Sequence, residues 1–112
     1  MRLINRKLLV KLKVKNQGNR LLVVAIDGLI KDICTNCWRD QIELRQTRPD
    51  ADRVHADGFF FFDLTTFRVM MLLEFSDGEA TVVWAGSHQE YERVFQNNKK
   101  RIKKWLKSNE WI

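Results

Sequence analysis

Apolar residues repeat at helical spacing in the first third of the chain. Three leucines share one side of a helix predicted from Arg6 to Lys15, with Asn5 as its N-cap. After a break at Gly18-Asn19 comes the clearest amphipathic pattern of the chain, formed by Leu22, Val23, Ile26, Leu29, Ile30 and Ile33. The two segments predict a pair of antiparallel helices joined by a tight turn.

Two shorter elements flank these helices. Arg2-Leu3-Ile4 predicts a short strand, either at the edge or in the centre of a sheet. From Trp38 to Thr47, the spacing of Trp38, Ile42 and Arg45 permits a further short helix, ended by Pro49 because the residue before a proline disfavours helical dihedrals.

The second half of the chain changes to the alternating pattern of strands. The aromatic run Phe59 to Phe62 and the segment Phe67 to Phe75 both favour extended backbone. Asp77-Gly78 predicts a turn that pairs the second segment with Glu79 to Ala85, which gives three consecutive antiparallel strands. Because side chains alternate across a sheet, Arg68 is expected opposite the main core face.

A helix is predicted to follow the last strand. Ser87-His88-Gln89-Glu90 matches a capping box, in which the Ser87 hydroxyl and the Glu90 carboxylate each accept a backbone N–H. The helix from His88 either continues or breaks at Asn97-Asn98 before a last amphipathic helix with a lysine-rich outer face. No repeat or linker divides the chain, so residues 1–112 are predicted to form one α+β domain.

The chain has the composition of a folded soluble protein, with 45% apolar and 30% charged residues among 112. Its longest apolar stretch, Leu21 to Ile30, is about half a membrane span and contains Asp27. The first residues lack the apolar region of a signal peptide. We therefore expect a cytoplasmic protein without a membrane partner.

The net charge of +6 hides a segregation by segment. Residues 1–20 carry seven Lys or Arg and no acid, residues 21–92 carry six basic and thirteen acidic residues, and residues 93–112 carry seven basic residues and one acid. Clustered cations at both ends suit a polyanion such as RNA, or an acidic protein partner. The alternative is a pair of solvated helix faces without a ligand.

Candidate metal and cofactor chemistry is sparse. Cys34 and Cys37 form a single C-x-x-C, and the two histidines, His55 and His88, are far away in the sequence. Because zinc needs four ligands, we expect two reduced thiols near a helix end, no metal and no small-molecule cofactor. No phosphate-binding loop, dinucleotide fingerprint or nucleophile elbow is present either.

The junction after the last strand could carry out RNA chemistry. His88 and Tyr91 project from one face of the first turn of a helix, whose free amides attract a phosphate. Metal-free RNA cleavage needs a base for the 2′-hydroxyl, an acid for the 5′-oxygen and a cation for the phosphorane. His88, Tyr91 and Arg68 could supply all three. Alternatively, His88 only begins the helix and Tyr91 only packs its ring against the sheet.

The sequence from Phe61 to Tyr91 resembles the HigB family of RelE-like toxins, above all in Trp84-Ala85-Gly86-Ser87-His88-Gln89-Glu90-Tyr91. Arg48 to Asp52 and Met1 to Ile4 are also similar to that family. The resemblance implies a microbial-RNase-like α+β fold, with N-terminal helices on one face of a small antiparallel sheet and a C-terminal helix. The opposite face and the last strand-to-helix turn would form the RNA site.

The resemblance also implies a function. Such toxins are ribosome-dependent mRNA endonucleases of type II toxin–antitoxin pairs, silenced by a helix-turn-helix antitoxin of the HigA kind. The resemblance assigns catalysis to Arg68, His88 and Tyr91. A loop residue such as His55 could complete this set of catalytic residues. Phosphates of mRNA and of the ribosome would contact the RNA-binding residues Arg53, Arg93, Lys99, Lys100, Arg101 and Lys103.

This chain departs from the family pattern at Asp63 to Thr66, and its three predicted antiparallel strands carry no basic residue besides Arg68. Two alternative functions therefore stay open. One is a non-catalytic toxin or RNA-binding module on the same scaffold, like the gyrase-poisoning ParE relatives, with the basic tail as its functional part. The other is a remnant that binds an antitoxin and has no activity.

Overall fold

The computed structural model describes all residues from Met1 to Ile112 and contains five helices and one five-stranded mixed sheet. The strands are β1 (Arg2–Ile4), β2 (Asp52–His55), β3 (Phe59–Leu64), β4 (Phe67–Glu74) and β5 (Glu79–Ser87). The helices are α1 (Lys7–Lys15), α2 (Arg20–Thr35), α3 (Gln41–Thr47), α4 (His88–Phe95) and α5 (Lys99–Ser108). None of the helices combines the length and apolar character that crossing a membrane requires.

The sheet has the strand order β1-β5-β4-β3-β2. The pairs β2–β3, β3–β4 and β4–β5 are antiparallel, as predicted for the last three strands. The prediction of a wholly antiparallel sheet was wrong, because β1 pairs with β5 in parallel, with Arg2 opposite Glu79. An apolar pattern of three residues indicates a strand but not its direction. A long segment of chain separates β1 from β5, and parallel pairing requires such a long connection.

The predicted hairpin of β4 and β5 is confirmed. A single 3-10 turn, Phe75–Asp77, connects the strands, and Gly78 then takes a left-handed conformation with φ of 66°. Strand β2 was missed by sequence analysis, because its four residues contain only one strongly apolar side chain, Val54. It forms the edge opposite β1 and is connected to β3 by a short turn.

The first helix begins differently from the prediction. Arg6 occupies the N-cap position and makes no side-chain cap, so the assignment of Asn5 as N-cap was wrong. Asn5 instead has φ of 63°, and its side-chain amide donates to the Val82 carbonyl at 2.9 Å. This contact fixes the start of α1 on β5, a long-range role that local sequence pattern does not reveal.

Helices α1 and α2 pack on one face of the sheet, as predicted, and enclose the larger core. The buried side chains of this core come from both helices and from alternate positions of the strands, among them Leu9, Leu22, Ile26, Leu29, Ile33, Phe60, Phe62, Val69, Met71 and Leu73. Alternation along β4 therefore leaves Arg68 on the other face, as predicted.

Helices α4 and α5 cover much of that other face with a second core. It contains Phe59, Phe61, Tyr91, Phe95 and Ile102 among its buried residues. The chain breaks between the two helices at Gln96 and Asn97, which both have positive φ, and Asn98 caps α5. The sheet face predicted to bind RNA is therefore largely covered by α4 and α5. Only its margins, beside Arg68 and along β2, remain for an RNA ligand.

Candidate active site

Arg68 lies on β4 with Asp63 of β3 and Gly86 of β5 opposite it on either side. Its guanidinium carbon is 4.8 Å from the centre of the Phe61 ring and 4.6 Å from that of Tyr91. Only 11% of the side chain is exposed. Two aromatic faces attract the cation and restrict its movement, so the arginine is held in one place by packing as well as by charge.

Two carboxylates contact the same guanidinium. The Nε of Arg68 donates to Asp63 Oδ1 at 3.0 Å, and Asp52 Oδ2 lies 3.9 Å from the terminal nitrogen Nη2. Both aspartates are about half exposed. An approaching phosphate would therefore compete with carboxylates that already neutralise part of the arginine's charge. The sequence indicated neither contact, because both depend on strand register.

Tyr91 is buried beneath Arg68, with 2% of its surface exposed. Its hydroxyl donates to Asn97 Oδ1 at 2.9 Å, in the turn between α4 and α5. Burial raises the pKa of the Tyr91 phenol above its ordinary value, and the nearby Arg68 cation opposes the shift only in part. The upward shift favours the protonated form of the phenol.

His88 is the first residue of α4 and is exposed to solvent. Its backbone N–H donates to the Thr66 carbonyl at 2.9 Å, and its ring centre lies 6.3 Å from that of Tyr91. The exposed imidazole can reach a ligand at the surface. Arg68 and His88 both neighbour the Tyr91 ring, so the structure brings the three predicted residues together.

The predicted capping box at the start of α4 is confirmed. Ser87 Oγ accepts the Glu90 N–H at 3.1 Å, and Glu90 Oε1 accepts the Ser87 N–H at 3.0 Å. The bond from Ser87 lowers the pKa of the Glu90 carboxyl, with smaller contributions from Arg93 and Lys15. A charged carboxylate therefore holds the first turn of α4, and with it His88, in place.

A basic groove lies between β2 and α5. It has a volume of about 540 Å³, and its cationic lining consists of Arg53, Lys99, Lys100 and Lys103. No acidic residue lines it, and His55 contributes a fifth polar side chain. Four of the six predicted RNA-binding residues, from two distant parts of the sequence, therefore meet in one groove.

The other two predicted RNA-binding residues lie apart from the basic groove. Arg101 lines a separate shallow depression with Lys104 and Trp105. Arg93 is exposed on α4, one turn beyond the capping box. All six cations can contact a long polyanion, but they do not form one compact site.

Arg53 and His55 are held in the basic groove by local bonds. The Arg53 guanidinium donates to the Gln41 side chain at 3.0 Å and to the Ala56 carbonyl at 2.7 Å. His55 Nδ1 accepts the Asp57 N–H at 3.1 Å, and its ring packs edge-on against Phe59. Arg53 therefore supports the turn between β2 and β3, and the other cations of the groove are the lysines of α5.

Cys34 and Cys37 are both free and exposed around the end of α2, where the sequence placed two reduced thiols. No group of three or more His, Cys, Asp or Glu side chains is arranged to hold a metal ion. The structure therefore supplies no ligand set that would recruit either cysteine to a metal centre.

Comparison with known proteins identifies the family. The profile of the HigB toxin family, described as the RelE-like toxic component of a toxin–antitoxin system, matches residues 23–94. That match spans well over half of the chain and includes Arg68, His88 and Tyr91, whereas α5 lies beyond it. No curated protein matches the chain. The chain therefore belongs to the HigB toxin family, and as the toxic component of a toxin–antitoxin system it has an antitoxin as its partner.

Proposed function

We propose that this toxin is a metal-independent endoribonuclease that cleaves mRNA in the ribosomal A site. The observation that carries the proposal is the grouping of Arg68, Tyr91 and His88, in which a buried tyrosine holds a cation beside an exposed imidazole. A base that takes the 2′-hydroxyl proton and a cation that stabilises the phosphorane are two groups that 2′-hydroxyl attack requires.

In this mechanism His88 is the base. It takes the proton of the ribose 2′-hydroxyl, the 2′-oxygen attacks phosphorus, and the bond to the 5′-oxygen breaks. Water supplies the proton of the new 5′-hydroxyl, and the resulting hydroxide is neutralised by the His88 imidazolium. The other product carries a 2′,3′-cyclic phosphate. Arg68 stabilises the charge of the phosphorane.

Tyr91 acts as a positioning residue in this proposal. Its proton is directed to Asn97, its pKa is raised, and its ring supports the Arg68 guanidinium. Asp63 already accepts from the Nε of Arg68, so substrate binding includes a competition between two anions for one guanidinium.

We place the longer RNA contacts on the basic groove, with Arg93 and Arg101 as additional phosphate contacts. Contacts of this kind give affinity without reading sequence, which suits a protein that enters a ribosome carrying any mRNA. Because translation takes place in the cytoplasm, the proposal also implies a cytoplasmic toxin. A HigA-like helix-turn-helix protein is the antitoxin that the resemblance implies.

The test expresses the wild type, Arg68→Ala and His88→Ala, and then maps mRNA ends and growth. We expect new ends with the wild type and a loss of at least 100-fold in cleavage with either variant, while Asp77→Ala, an exposed position in the hairpin turn, retains activity. Equal cleavage by all of these proteins would remove the grouped residues from the mechanism.

A second candidate function is a toxin that binds without cutting. It is favoured by the pairing of Arg68 with Asp63 and of Tyr91 with Asn97, since both polar groups already have partners. The basic groove would then be the functional surface. Growth arrest with intact mRNA, abolished by Lys100→Gln with Lys103→Gln but not by His88→Ala, would establish this alternative.

A further inference from the structure

A second groove, which RNA chemistry does not use, lies between α1 and β5. It has a volume of about 560 Å³ and is mostly apolar, with Leu8, Val10, Leu12 and Val14 from the helix and Ala85 from the strand. Val10 is 46% exposed and Val14 is 60% exposed. Aliphatic side chains grouped beside a groove mark a surface that a partner covers.

The sheet edge beside this groove has no strand partner. β1 pairs with β5 only as far as Thr81, and the Asn5 side chain occupies the next carbonyl, that of Val82. The remainder of β5 continues to Ser87 with a neighbouring strand on its β4 side alone. Helix α1 and this free edge together form the two walls of the groove.

The charge around the groove selects among possible occupants. Lys11 and Lys15 line it, and residues 1–20 contain no acidic side chain. A second copy that docked through the same groove would bring like charges together, and RNA has no use for an aliphatic lining. An acidic amphipathic helix fits both features, with apolar side chains in the groove and carboxylates opposite the lysines.

The groove also ends beside the candidate active site. Ala85 lies two residues before Ser87, which caps the helix that begins with His88. Lys15 is close enough to Glu90 to contribute, after Ser87 and Arg93, to the lowered pKa of that carboxyl. A helix in the groove would therefore lie next to the turn that carries His88.

We propose that the groove between α1 and β5 binds an acidic amphipathic helix of the antitoxin. The nine residues of α1 span about 14 Å at about 1.5 Å per residue, so the bound segment is expected to have about two and a half turns. Because the groove lies beside the first turn of α4, the bound antitoxin would lie next to the candidate active site. The proposal uses the toxin's family membership and is independent of RNA cleavage.

The test compares two matched substitutions by calorimetric titration with the cognate full-length antitoxin. Val14→Glu places a carboxylate in the groove, whereas Val24→Glu makes the same change on α2, outside the groove lining, at a residue that is 63% exposed. We expect Val14→Glu to weaken binding at least tenfold and Val24→Glu to change it less than twofold. Lys11→Glu should weaken binding as well, and more strongly at low salt.

The control for folding is thermal unfolding of each variant, which should match the wild type because both valines are largely exposed. Equal antitoxin affinity of Val14→Glu and the wild type, or equal losses at both valines, would overturn the proposal. If a groove variant loses only RNA affinity, the groove is a nucleic-acid-binding surface. If it loses only self-association, the groove is a dimer interface. Either result would also overturn it.

Discussion

At the scale of single residues, the most consequential contact is the bond from Arg68 to Asp63. It satisfies the Nε of an arginine that is almost buried, and it places a carboxylate where a phosphate would compete for the guanidinium. Asp52 lies further away and attracts the same guanidinium less strongly. The two aspartates therefore set how strongly the candidate site attracts RNA.

Asp63→Asn should strengthen RNA binding several-fold, because the uncharged amide competes poorly with phosphate for Arg68. Asp63 is about half exposed and the amide oxygen of the variant can still accept from the Nε of Arg68, so the change should cost about 1 kcal/mol of folding free energy. Fluorescence anisotropy with a short single-stranded RNA measures the affinity, and Asp77→Asn controls for the general change in charge. Unchanged affinity in the Asp63 variant would show that Arg68 does not contact RNA.

Tyr91 gives a second residue-scale prediction, because it is the only tyrosine. Its raised pKa means that the folded state holds the phenol proton more tightly than the unfolded state, whose value is near 10.0. Stability from this group is complete below that pH and is lost as pH rises towards the pKa of the folded state. Ultraviolet titration of tyrosinate should therefore give a pKa above 10.0 in the native protein.

Tyr91→Phe should remove this alkaline loss of stability. It keeps the ring against Arg68 but deletes the hydroxyl bonded to Asn97, which should cost about 1 kcal/mol at neutral pH. Because Tyr91 is proposed to position Arg68, cleavage should persist in Tyr91→Phe and fall in Tyr91→Ala. A Phe variant as inactive as Arg68→Ala would instead make the hydroxyl part of the chemistry.

At the scale of elements, the sequence predicted correctly those elements that are determined by neighbouring residues in the chain. The hairpin of β4 and β5, the capping box of α4 and the amphipathic α2 are all determined by neighbouring residues. The direction of β1, the existence of β2 and the role of Asn5 depend on contacts with residues far along the chain. A periodicity argument cannot include such contacts.

The cap of α4 provides a prediction at this scale. Ser87→Ala leaves the Glu90 N–H without its side-chain acceptor and should destabilise the protein by about 1 kcal/mol. Because the same turn holds His88, cleavage should decrease more than unfolding explains. Ser87→Asp, which can also cap, should restore both properties, as measured by thermal unfolding and by mRNA-end mapping. A stable but inactive Asp variant would contradict a capping role.

At the scale of the whole molecule, the segregated charges of the sequence become surfaces. The basic C-terminal segment meets β2 in the basic groove, and the basic N-terminal segment lines the groove of α1. Sequence analysis predicted four of the residues in the basic groove, and it grouped Arg68, His88 and Tyr91 from chemistry and family resemblance. It could not predict the competing aspartates or the partner of Tyr91, because these depend on three-dimensional packing.

The basic groove should act through counterion release. Lys100→Gln with Lys103→Gln removes two phosphate contacts, which should reduce the slope of log affinity against log salt by about 1.4 for single-stranded RNA. Lys7→Gln with Lys31→Gln makes the same change in net charge on α1 and α2 and should leave the slope nearly unaltered. Equal slopes for both pairs would mean that RNA does not enter the groove.

The four consecutive phenylalanines of β3 connect the two halves of the molecule. Phe60 and Phe62 enter the core under α1 and α2, whereas Phe59 and Phe61 enter the core under α4 and α5. Unfolding of either core exposes phenylalanine rings of β3, and the same strand also carries rings of the other core. We therefore expect heating to produce a single calorimetric transition, with truncation on either side of the strand lowering one common midpoint.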